Sequence, residues 1–236
     1  MKINVFSFTR DRVIYTNNCF NTLQHCKSKY PFDHYVLDNG SIDDTKKYLG
    51  NSISRYKGVI IIPTNVGLHI ASSIISSIME PCDLVIKADN DCFFSSSDTI
   101  LNISSIYGSL MKSNEKYILS PRVLGISKQP KRGDIRELVI NDVSFTLGHV
   151  GQIGGLCMAI PYNIFKCIKF NTNLPMARGL DSSICSQAVN LGCKLAYIEN
   201  MTVTHYETTN GQGKRYPEYF KRKRVEETKP YEAIYE

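Results

Sequence analysis

No apolar run in the 236 residues approaches the roughly 20 residues that a membrane-crossing helix requires, so no transmembrane segment is expected. A signal-peptide pattern is missing too. Met1-Lys2-Ile3-Asn4-Val5-Phe6 enters an apolar strand at once, without a longer hydrophobic region or a small-residue cleavage site, and a cytoplasmic protein is expected. The eight cysteines, at 19, 26, 82, 92, 157, 167, 185 and 193, include no CxxC pair and fall mostly within apolar periodic segments. That disfavours zinc and fits buried free thiols in a reducing compartment. A phosphate loop of the form G-x-x-x-x-G-K-[ST] is absent, because Gly211-Gln212-Gly213-Lys214 lacks the spacing, and this disfavours a P-loop kinase. Glycine is also absent from Ser7-Phe8-Thr9-Arg10-Asp11-Arg12, where nucleotidyl transfer would call for a glycine- and arginine-rich loop. No internal repeat occurs.

What is present is enough apolar sequence, 42% of residues against 21% charged, to build one sizeable core with embellishments. The formal charge of +6 is partly concentrated in Lys128-Gln129-Pro130-Lys131-Arg132 and Lys221-Arg222-Lys223-Arg224. Such runs are either solvated faces or attraction for an anionic partner: donor phosphates, a phospholipid-linked acceptor, a peripheral membrane surface or nucleic acid.

The most informative stretch is Leu84-Val85-Ile86-Lys87-Ala88-Asp89-Asn90-Asp91, a short apolar run ending in two carboxylates one residue apart. On an extended backbone Asp89 and Asp91 face one target while Asn90 turns aside. At the carboxyl end of a parallel strand, where open α/β sheets collect ligands, such oxygen donors suit Mg²⁺ or Mn²⁺ carrying a diphosphate. The competing reading is a turn or helix cap.

The rest of the chain supplies the sheet. Lys2 to Phe8, His34 to Leu37 and Val59 to Ile62 read as strands, each followed by a polar turn and a stretch with helical spacing. With the strand before Asp89 they predict parallel, right-handed crossovers with helices on both faces. Further on, the pattern predicts a helix over Thr99 to Met111, a strand over Tyr117 to Pro121 and an antiparallel or mixed excursion between Gly125 and Gly151. Leu156 to Ile160 follows as a strand, Tyr162 to Lys169 as a helix, and Asp181 to Val189 as a helix. A strand pair, Lys194 to Ile198 and Met201 to Thr204, closes the pattern. Residues 1–209 are expected to form one domain, and 210–236 a basic, loosely held tail.

The order of Val36-Leu37-Asp38-Asn39-Gly40-Ser41, Asn65-Val66-Gly67, Asp89-Asn90-Asp91, Gly154-Gly155, Gly179-Leu180-Asp181 and His205 resembles the GT-A fold glycosyltransferases, and among them the family 2-like enzymes. The resemblance spans about residues 2 to 206. It implies a Rossmann-like αβα sandwich with a mostly parallel central sheet and a small antiparallel excursion. It also implies an inverting, metal-dependent transfer of a sugar from a nucleoside-diphosphate sugar, UDP-linked by preference.

By the same resemblance Thr9 and Arg10 line the nucleotide pocket, Asp38 accepts a hydrogen bond from the base, and Asn65 and Gly67 approach the nucleoside. Asp89 contacts the ribose, and Asp91 and His205 hold the Mn²⁺ or Mg²⁺. Gly154 and Gly155 form the loop beneath the transferred sugar, and Asp181 is the base that deprotonates the acceptor hydroxyl. Local alternatives stand beside these roles: Asp38 as a turn cap, Gly67 as a helix start, Asp181 as a helix N-cap, His205 as a satisfied polar residue. One position departs from the family pattern, because Leu180 stands where a second acid is usual. A glycan or lipid-linked saccharide is the expected acceptor. The rivals are a hydroxylated modified base in DNA, flipped toward Asp181, and a catalytically silent module that binds nucleotide-sugar or nucleic acid.

Overall fold

A computed structural model describes residues 1–126, 131–171, 179–207 and 209–227. Three strand–helix units open the chain: β1 (Ile3–Thr9) and α1 (Val13–Gln24), β2 (Phe32–Asn39) and α2 (Thr45–Asn51), β3 (Gly58–Ile62) and α3 (Leu68–Ile78). They are followed by β4 (Leu84–Ala88), β5 (Cys92–Phe93), α4 (Thr99–Lys112) and β6 (Tyr117–Leu124). The second half contains β7 (Ile135–Ile140), β8 (Val143–His149), β9 (Cys157–Pro161), α5 (Tyr162–Phe165), α6 (Leu180–Asn190), β10 (Lys194–His205), α7 (Thr209–Arg215) and α8 (Pro217–Glu227).

The strands form one sheet in the order β3-β2-β1-β4-β9-β6-β10-β8-β7, with β5 paired to β10. β1 pairs in parallel with β2 and β4, β2 with β3, and β6 with β10. β9 is inserted antiparallel between β4 and β6, so β1 to β4, β6 and β10 all point one way and their carboxyl ends share a rim. All seven residues of β1 and all five of β4 are buried. Interior parallel strands are covered on both faces, which is why their sequences run apolar without alternation.

The antiparallel excursion is the β7–β8 hairpin. Asn141 and Asp142 both take positive φ at its tip (49° and 62°), the conformation of a two-residue hairpin turn whose twist matches the strands. Three local expectations change. The helix expected over Tyr162 to Lys169 ends at Phe165. The expected strand pair is the single strand β10, whose register against β6 slips between Ile198 and Thr202. Its polar residues resemble a turn in sequence, yet Glu199 pairs with Arg122 (3.2 Å) and Arg132 (2.9 Å), and Asn200 donates to the Ser144 carbonyl (2.7 Å), so the bulge stays in the sheet.

The third change concerns the segment expected as a loose tail. Residues 209–227 form α7 and α8, and they are held: Gln212 and Tyr219 are buried. Lys128, Gln129 and Pro130 of the basic loop lie outside the described residues. Among the described residues no helix is long and apolar enough to cross a membrane. All eight cysteines are free, and six of them are buried.

Candidate active site

A cavity of about 390 Å³ opens at the carboxyl rim of the sheet. Thr9, Arg10, Asn65, Asp89, Asp91, Gly154, Gly155 and His205 line it. Asp38, Gly67 and Asp181 do not form its wall, although Asp38 and Asp181 each touch a residue that does.

The acidic triplet leaves β4 as a turn, with the Cys92 N–H donating to the Asp89 carbonyl (3.0 Å), and not as continued strand. The turn directs all three side chains to partners, so Asn90 does not turn aside: it accepts from Arg12 (2.9 Å) and donates to Thr16 (2.9 Å). Asp91 is buried and accepts from Arg12 (3.0 Å) and Gln212 (3.3 Å), with His205 Nε2 3.5 Å away. Burial works against a charge on Asp91, but Arg12, His205 and Gln212 overcome it and hold the carboxyl below the ordinary range.

Asp89 belongs to a second polar group centred on Lys87, a lysine buried within β4. Its ammonium donates to Asp89 (2.5 Å) and to the Gly155 carbonyl (2.6 Å) and stands 3.4 Å from Asp181. Burial opposes that charge, yet Asp181 and Asp89 outweigh it, and the Lys87 pKa is raised. For Asp89 withdrawal from water is the largest effect and pushes the carboxyl up, with Lys87 opposing. Asp181 sits in the first turn of α6, where an acid favours the helix dipole, but the N-cap itself is Gly179 in the left-handed region. A Cβ at Gly155 would overlap the Asp181 carboxylate, so the absent side chain is what lets that acid reach the cavity wall.

Asp38 is wholly buried and accepts from the Thr9 hydroxyl (2.9 Å), the Ser41 N–H (3.1 Å) and the Ser41 hydroxyl. Burial raises its pKa against those three donors. It therefore braces the turn behind Thr9. Gly67 caps α3 at φ 77°, a conformation that favours glycine, while the Asn65 side chain accepts the Gly67 N–H (3.1 Å).

Five contributors escaped the sequence reading: Arg12, Lys87, Asn90, Gln212 and Tyr219. Lys87 carried a signal, since a lysine inside Leu-Val-Ile-Lys-Ala must be paired if that strand is buried. Arg12 follows Asp11 with both residues at positive φ (53° and 58°), which sequence does not announce. Its guanidinium lies 4.7 Å from the Tyr219 ring centre and donates to Gln212 (2.7 Å), while Arg222 pairs with Asp11. Lys223 lines the cavity. Of the four basic residues at 221–224, Arg222 is thus paired within the fold and Lys223 stands at the cavity.

A carboxylate and an imidazole nitrogen are donor types that Mn²⁺ accepts, and here Arg12 stands on the same Asp91 oxygen that His205 faces. His205 Nδ1 donates to the Glu207 carbonyl (2.5 Å), which leaves Nε2 directed at Asp91. Metal-binding histidines are commonly anchored through the other ring nitrogen in this way. Among the described residues no group of three or more His, Cys, Asp or Glu side chains is placed to hold a metal ion, so an ion held by Asp91 and His205 would need ligand oxygens as well.

No family model matches the chain, and no curated protein matches its sequence. Solved structures do match. Residues 1–349 of S. aureus TarS in complex with UDP-GlcNAc superpose with a TM-score of 0.63 at 14% identity, over 86% of this chain and 58% of that one. Mannosyltransferase PcManGT from Pyrobaculum calidifontis, in complex with GDP-Man and Mn²⁺, gives 0.61 at 11% identity over 89% and 58%. GalNAc-T7 with UDP, GalNAc and Mn²⁺ gives 0.65 at 14% identity over 86% and 43%. The chain therefore spans about three-fifths or less of these proteins, and what it shares with them is the GT-A glycosyltransferase fold.

Proposed function

We propose that the protein transfers a sugar from a nucleoside-diphosphate sugar, UDP-linked by preference, to the hydroxyl of a glycan or lipid-linked saccharide, with inversion. The observation that carries this reading is the convergence of Thr9, Arg10, Asp89, Asp91 and His205 on one rim cavity, with Asp181 against its Gly155 wall. The nucleotide-sugars and Mn²⁺ held by the structural neighbours support the same donor class.

In this reading Thr9, braced by Asp38, and Asn65 shape the nucleoside side, and Asp89 accepts from the ribose. Asp91 and His205 would hold Mg²⁺ or Mn²⁺, which would supply positive charge to the leaving diphosphate. Asp181 accepts the acceptor hydroxyl proton as oxygen bonds to the anomeric carbon. The bond from that carbon to the diphosphate breaks on the opposite face, and the electron pair departs with the diphosphate. Lys87 holds Asp89 and Asp181 to one point, fixing the base relative to the donor.

Release of nucleoside diphosphate from UDP- and GDP-sugars without acceptor separates an enzyme from a silent binding module. Asp181→Asn is expected to cut transfer by about 1000-fold and leave nucleotide affinity within about twofold. Full transfer by that variant would overturn the assignment of the base.

A further inference from the structure

The cavity wall carries more positive charge than a cation-dependent acidic site needs. Arg10, Arg12 and Lys223 line it against two carboxylates, Asp89 and Asp91, and Asp89 is already paired with buried Lys87. Arg12 is the deepest of these cations, with only 9% of its side chain exposed. Its five N–H donors include three with partners: Asp91, Gln212 and Asn90. Nε is buried without a partner, an arrangement that costs free energy. Two successive residues at positive φ put the guanidinium there, a backbone strain that persists only where the surroundings over-determine it.

Resting on the donor class proposed above, we infer that Arg12 is a built-in cation for the donor's diphosphate, so that nucleoside diphosphates bind without a divalent metal and the metal strengthens binding already present. Arg12 lines the cavity, and the Nη2 hydrogen that Asp91, Gln212 and Asn90 leave unused suits a phosphate oxygen, while Asp91, Asn90 and Tyr219 keep the guanidinium oriented. Tyr219 and Gln212 bring α7 and α8 into the same arrangement, so the C-terminal helices position a ligand-binding group.

The test is calorimetric titration of the full chain with UDP, UMP, GDP and GMP, in EDTA and in Mn²⁺. In EDTA the diphosphate of the preferred base is expected to bind about tenfold or more tightly than its monophosphate. Arg12→Gln should reduce that ratio to about threefold or less while leaving monophosphate affinity unchanged, which shows that the pocket remains folded. Arg12→Lys, keeping the charge without the fork, should fall between them. Asp91→Asn should lose the Mn²⁺ enhancement and, because Asp91 also orients Arg12, weaken the diphosphate binding seen in EDTA, though less than Arg12→Gln does. Diphosphate binding seen only with Mn²⁺ would overturn the role of Arg12 and leave the donor class standing. Binding of no nucleotide under either condition would overturn both.

Discussion

Gly155 has no room for a side chain because Asp181 fills the space where one would stand. The consequence is chemical, since the same backbone gives its carbonyl to Lys87, and Lys87 fixes Asp89 and Asp181. Gly155→Ala should therefore displace the acid rather than unfold the protein. The expected result is a fall in kcat of about 100-fold with nucleotide affinity retained, measured by steady-state kinetics and calorimetry, because small misplacements of a positioned base are costly. Unchanged kcat would mean that Asp181 does not act from this position. At the residue scale the sequence revealed residue types better than partners. Asp89, Asp91 and Asp181 are legible because carboxylates at strand and helix ends stand out. That Lys87 joins two of them could not be read, because Asp181 of α6 lies far from Lys87 of β4 in sequence and meets it only in the folded chain. Asp38 was visible as an acid in a turn, but its saturation by Thr9 and Ser41 depends on three-dimensional closure.

Elements differ in how far local pattern determines them. β1, α1, β2 and β4 follow from apolar runs and helical spacing because tertiary contacts reinforce those preferences. β10 was split because a bulge carrying Glu199 and Asn200 has the composition of a turn, and only its partners on β6 and β8 retain it as strand. α7 and α8 were hidden for a related reason: their polar, glycine-containing sequence offers little apolar face, and their attachment comes from single side chains. Gln212 reaches Arg12 and Asp91, Tyr219 packs on Arg12, and Arg222 pairs with Asp11. Elements held by few contacts open locally at low free-energy cost. Arg222→Ala should thus raise the rate of proteolytic cleavage within 209–227 several-fold while the cooperative unfolding midpoint of the rest stays nearly fixed, as read by limited proteolysis with mass spectrometry beside a melting curve. Equal cleavage rates in both proteins would show that this ion pair does not hold α8.

At the scale of the whole molecule, strand direction does most to explain the site. Because β1 to β4, β6 and β10 all point one way, loops from distant parts of the sequence meet on one rim, and the cavity opens there. This gathering was legible from the alternation of strands and helices and from the polar residues that follow the strands. The balance of charge within the cavity was not, because it depends on Arg12 turning inward and on Lys223 arriving from the C-terminal helix. The central claim is that the rim cavity takes a nucleoside-diphosphate sugar. The most direct measurement is a thermal-shift screen of UDP-, GDP- and dTDP-sugars in Mn²⁺, with Thr9→Val and Asp91→Asn as comparisons. One donor series should raise the melting temperature of the native chain by several degrees and each variant by less, since ligand binding to the folded state stabilises it by mass action. No shift with any nucleotide-sugar, or an equal shift in all three proteins, would contradict the claim.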